Sequence, residues 1–65
     1  MNLEFEWLLH KVKASLQTLG DRQTVAIDCE HDSYDNMRRA VIWLEERGYR
    51  AEISLNAEIL RISKQ

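Results

Sequence analysis

The chain contains no proline, a single cysteine, a single phenylalanine and two glycines among its 65 residues. Each scarcity excludes something. Without proline, and with glycine only at Gly20 and Gly48, there is little material for flexible linkers or disordered segments. Cys29 has no partner for an internal disulfide, and a lone thiol fits a reducing cytosol better than an oxidising compartment. No apolar run is long enough to span a membrane. The N-terminus carries Glu4 and Glu6 where a signal peptide has a basic start and an apolar run, so no targeting segment is expected. An excess of one charge is missing too. Nine basic and eleven acidic residues are scattered along the chain for a net charge of −2, without the positive footprint of a general nucleic-acid binder. Internal repeats, a Gly-rich phosphate loop, a nucleophile elbow and a metal-binding helix motif are all lacking. No enzyme activity, cofactor, metal or small-molecule substrate is expected.

What is present fits one small domain over residues 1–65. A chain this short buries only about 60% of the surface its unfolded form exposes, so it gains from outside help. With disulfides excluded and no clear metal set, that help is a second copy or a larger protein.

Asn2 is a good helix N-cap, and Glu4 and Glu6 suit the positive end of a helix dipole. Leu3-Glu4-Phe5-Glu6-Trp7 alternates like a strand, but a strand there would meet the following helix with no turn residue, so a helix over 3–19 ending at Gly20 is favoured. Its core stripe is Phe5, Leu8, Leu9, Val12, Leu16 and Leu19. After a turn at Gly20-Asp21-Arg22, Thr24–Cys29 reads as a strand with Val25, Ile27 and Cys29 inward. A second helix starts at Asp32 or Ser33 and ends at Gly48, with Tyr34, Met37, Ala40, Val41 and Leu44 toward the core. Tyr49–Leu55 alternates with Tyr49, Ala51, Ile53 and Leu55 inward, Asn56-Ala57 forms a tight connection, and Glu58–Ser63 is the last strand.

The order α-β-α-β-β predicts an α/β (α+β) two-layer sandwich with both helices on one face of a three-stranded mixed sheet. The right-handed crossover makes the first two strands parallel. Ile59, Leu60 and Ile62 make the last strand apolar on both faces, which places it centrally. The order after the first helix resembles the latter part of small sulfur-carrier domains. Those begin with an additional strand and a Cys-Pro motif, and this chain has neither, so the resemblance implies nothing about activity.

The chemically richest stretch is Asp28-Cys29-Glu30-His31-Asp32. A thiol beside a histidine and a helix N-terminus can be activated, and thiol or sulfur-transfer chemistry at Cys29 is one alternative reading. The surrounding carboxylates oppose a thiolate, and Cys29 keeps the phase of the core. Cys29, His31 and a carboxylate lack the recurrent spacing of a zinc site. Asp28 and Glu52 on an open sheet face lack the cleft that tunes an acid–base pair. Arg38, Arg39, Arg50 and Arg61 form the other alternative, a nucleic-acid-binding regulator, although acidic residues interrupt them and the sheet offers no aromatic for base stacking.

The strongest signal is a second apolar helix face. Leu3, Trp7 and Ala14 lie opposite the first helix's core stripe, where a small domain needs no cover of its own. Trp43 is the second tryptophan, four residues after Arg39, which could stack on it. The expectation is a non-catalytic cytosolic accessory or regulatory protein. It would act by protein–protein binding as an inhibitor or adaptor, or as a homodimer, and is of a size common among phage and mobile-element proteins. Leu3, Trp7, Ala14 and Trp43 would form the docking surface, with His10, Lys11 and Arg39 as its polar rim.

Overall fold

The computed structural model describes residues 2–65 and has the order α1 (Leu3–Leu16), β1 (Thr24–Asp28), α2 (Tyr34–Glu45), β2 (Tyr49–Ile53) and β3 (Ile59–Lys64). Residues 3–7 are helical despite their alternation. The Asn2 side-chain oxygen accepts the Phe5 N–H at 3.1 Å, which closes the first turn and outweighs the strand pattern. Asn2 Nδ2 also donates to Oδ1 of buried Asn36 at 2.9 Å. The caps of the two helices are thereby joined, since Asn36 N–H in turn donates to the N-cap Ser33 Oγ.

The first helix stops at Leu16, one turn short of the expected residue 19. Ser15 Oγ bonds back to the Lys11 carbonyl, while the Thr18 N–H and Oγ1 both turn onto the Ser15 carbonyl. Such side-chain competition tightens the last turn and ends the α-helical ladder. Gly20 is not the left-handed cap. Its N–H donates to Gln23 Oε1 at 2.8 Å, and a Cβ on Gly20 would sit 2.8 Å from that same oxygen. Arg22 takes the left-handed conformation instead.

The sheet order is β1-β3-β2, with the last strand central. β3 pairs antiparallel with both neighbours. β1 and β2 therefore run parallel to one another without touching, and because β3 lies between them and opposes both, the sheet is antiparallel throughout rather than mixed as expected. Leu60 and Ile62 of β3 are fully buried. With Leu8 and Val12 of α1 and Met37, Ala40 and Leu44 of α2 they form a core from which water is excluded. Each such large side chain contributes about 1.5–3 kcal/mol on transfer from water. The opposite sheet face carries the exposed Ala26, Arg50, Glu52 and Arg61.

Three expected core positions are not in the core. Leu9, one helical step around from Leu8, is only partly buried and stands outside the core cluster. Tyr34, at the first turn of α2, is 53% exposed, and Leu55 is fully exposed. β2 ends at Ile53, so Leu55 falls in the hairpin loop, where strand phase no longer applies. The expected tight connection is also longer. Ser54 N–H pairs with the Ile59 carbonyl, Ala57 N–H with the Ser54 carbonyl, and Ala57 adopts φ 58°. A left-handed alanine costs about 1 kcal/mol that glycine does not incur. Ala57→Gly is therefore expected to stabilise the protein by about 0.5–1 kcal/mol in urea or thermal unfolding, and a loss of stability would refute this account of the hairpin.

Candidate protein-binding surface

One side of α1 faces the core, and its opposite side carries Leu3, Trp7, His10 and Ala14, all exposed. The spacing of four, three and four residues lines them up along the helix. Leu3 is 71% and Trp7 64% exposed. His10 stacks on Trp7, with ring centroids 5.9 Å apart and planes inclined by 19°. The imidazole thus extends the apolar strip rather than bordering it. Beside the strip lies a shallow cleft of about 290 Å³ lined by Leu3, Glu4, Trp7, His31 and Asp32. His31 joins this surface through the β1–α2 loop, which sequence spacing did not foreshadow.

Lys11 is not a free rim contact. Its ammonium donates to Asp32 Oδ2 at 2.6 Å and to the Asp28 carbonyl at 3.0 Å. The Asp32 side chain is 5% exposed, so a buried carboxylate holds the lysine inward. The same two bonds fasten the loop that carries His31 against α1. Within it, Asp28 Oδ1 accepts the Glu30 N–H and the Cys29 carbonyl accepts the Asp32 N–H. The wall of the cleft is therefore fixed by bonds within the chain.

Trp43 lies apart from this strip. It is half-buried and packs against the core. The Arg47 guanidinium lies over its ring at 3.9 Å and the Lys13 ammonium at 5.8 Å. Arg39, the expected stacking partner, is replaced by Arg47 for a local reason. The last turn of a helix leaves carbonyls without internal partners, and Arg47 Nη1 donates to the Trp43 carbonyl at 2.9 Å. Arg39 remains exposed on α2.

Of the four arginines of the nucleic-acid reading, Arg38, Arg50 and Arg61 lie around β2 with an acid between them, and Arg39 is not among them. Arg38 and Glu52 border a cleft of about 360 Å³ between α2 and β2. Arg50 and Arg61 border Glu52 on the outer face of the sheet. Among the described residues, no three His, Cys, Asp or Glu side chains gather as a metal site, and no helix is long and apolar enough to cross a membrane. Comparison with protein-family models, with curated proteins and with solved structures gives no match.

Cys29 is fully buried at the end of β1, where its N–H donates to the Glu58 carbonyl at 2.7 Å. Burial, seconded by the Asp32 carboxylate, pushes its thiol from 9.0 up to about 11. The thiol is therefore protonated and inaccessible at neutral pH. Ellman's reagent in mildly alkaline buffer is expected to leave the folded protein unlabelled and to label it promptly in denaturant. The unfolded chain loses this proton near 9 and the folded chain near 11, so the thiol lowers stability as pH rises through that window and has no effect below it. The corresponding slope should be missing from Cys29→Ala, and fast labelling of the native protein would contradict the assignment.

Proposed function

We propose that this protein is a non-catalytic binding module that recognises another protein through the outer face of α1. The observation that carries the reading is the placement of Trp7. A large aromatic side chain is left 64% exposed on a helix whose other side already fills the core, beside a second exposed apolar residue, Leu3. Exposed aromatic and aliphatic groups arranged in this way form the anchors of protein interfaces, where tryptophan is enriched among the residues that dominate affinity. His10 extends the strip by stacking on Trp7, His31 brings a polar edge to it, and the Lys11 clamp holds the adjoining loop in place. A preorganised surface of this kind loses little entropy on docking.

The class of action is occlusion or bridging in the cytosol, as an inhibitor or adaptor. A buried, protonated Cys29 supports this reading over thiol chemistry. The interposition of Glu52 among Arg38, Arg50 and Arg61 supports it over nucleic-acid binding.

Trp7→Ala removes no core contact, so its effect on stability is expected to stay within about 0.5 kcal/mol. Affinity capture with wild type beside Trp7→Ala and Arg50→Ala tests the function. The expected result is a protein partner retained by wild type and Arg50→Ala and lost from Trp7→Ala, with melting unchanged. Equal capture by all three, or binding of RNA or DNA that weakens with salt and with loss of Arg50, would overturn the reading.

A further inference from the structure

The two edges of the sheet differ. On β1, the Cys29–Glu58 bond fixes the alternation of the antiparallel ladder, so the backbone groups of Thr24, Ala26 and Asp28 face outward. The Lys11 ammonium, reaching across from α1, occupies the Asp28 carbonyl there and so takes one outward acceptor away from an incoming strand. On β2, the Ser54–Ile59 bond fixes the phase in the same way. Arg50 and Glu52 bond to β3, and the N–H and C=O groups of Tyr49, Ala51 and Ile53 face outward. Among the described residues no side chain reaches the backbone of Ala51 or Ile53. Gln65 Nε2 donates a long hydrogen bond to the Tyr49 carbonyl at 3.4 Å, which a pairing strand would displace.

We infer that the open β2 edge pairs with the β2 edge of a second copy, antiparallel about Ala51, to give a dimer with a continuous six-stranded sheet. The pentapeptide Tyr49-Arg50-Ala51-Glu52-Ile53 is complementary to itself in that register. Ala51 meets the partner's Ala51, and the outward backbone groups of Tyr49, Ala51 and Ile53 all find partners. On the open sheet face Arg50 stands opposite the partner's Glu52, and Glu52 opposite the partner's Arg50. Within one chain Glu52 already stands opposite Arg61, so each half of the dimer would carry the row Arg61, Glu52, partner's Arg50. On the helix face Tyr49 stands opposite the partner's Ile53, an aromatic–β-branched pair of the kind that stabilises sheets.

Charge also selects the register. A slip of one residue sets outward-facing groups against groups committed to β3. A slip of two sets Arg50 against the partner's Arg50, or Glu52 against the partner's Glu52, and like charges directly opposite are unfavourable. The neighbouring face of α2 leaves Tyr34 and Ile42 half-exposed on one helical row with Arg38, available for cover by the second copy. α1 packs on β1 and α2, at the far side of the sheet from this junction. Both Trp7 strips thus stay open, and the dimer would present the binding surface twice.

Sedimentation equilibrium over a dilution series reaching millimolar tests the pairing in wild type, Arg50→Glu, the swap Arg50→Glu with Glu52→Arg, and Trp7→Ala. All substituted positions are exposed, and circular dichroism verifies the fold of each variant. Arg50→Glu sets a carboxylate against the partner's Glu52 in both pairs and is expected to weaken dimerisation about tenfold or more. The swap restores opposite charges and is expected to restore the dimer, and Trp7→Ala is expected to leave it intact. In the wild-type dimer the Ala51 amide should exchange slowly with solvent. A wild-type monomer throughout, an Arg50→Glu dimer of wild-type affinity, a swap that stays monomeric, or a dimer split by Trp7→Ala would each overturn the inference.

Discussion

Both ladders of the sheet run through β3, and neither β1 nor β2 has another strand to bond. Everything else in the molecule follows from that dependence. Leu60 and Ile62 put the middle of β3 against both helices, so the central strand is also the floor of the core. The two helices lie side by side on it, joined at their N-termini by Asn2 and Asn36 and, toward their C-termini, by Lys13 over Trp43. A sheet of three strands covered on one face has a second face in water and two edges, and among the described residues no further element covers them.

The protein treats those surfaces unequally. The β1 edge is partly occupied by Lys11, whose bonds to Asp32 and the Asp28 carbonyl also brace the β1–α2 loop. One ion pair therefore shields an edge and shapes the cleft next to Trp7. The open sheet face is made harmless by charge, with Arg50, Glu52 and Arg61 interspersed. The outer side of α1, with Leu3 and Trp7 exposed, and the edge of β2 are left without cover within the chain. The inner side of α1 thus serves the core, and its outer side is the surface proposed for recognition.

Much of the architecture was legible because it depends on periodicity. Leu8, Val12 and Leu19 are buried, and Ile59, Leu60 and Ile62 correctly mark β3 as the central strand. The exposed positions of Leu3, Trp7 and Ala14 follow from the same helical period. What was not legible depends on contacts made after folding. The Lys11–Asp32 bond spans 21 positions, and no local pattern distinguishes Lys11 from a solvated rim lysine. Arg39 and Arg47 are both four residues from Trp43, and the choice between them rests on an orphan carbonyl at the helix end. Leu55 keeps the phase of β2 but falls beyond its end, because Ser54 already serves the hairpin with its backbone and its hydroxyl. The surface at Trp7 was thus visible in outline, whereas His31 and the clamp that positions it were not.

The proposed binding surface requires the outer face of α1 to stay open in the protein by itself. Fluorescence of Trp43→Phe, in which Trp7 is the remaining tryptophan, addresses this most directly when recorded with acrylamide over a dilution series. The expected result is red-shifted emission, as for a tryptophan in water, with ready quenching at every concentration. Blue-shifted or protected emission that appears as the protein associates would mean that a second copy covers this face, and would contradict the account.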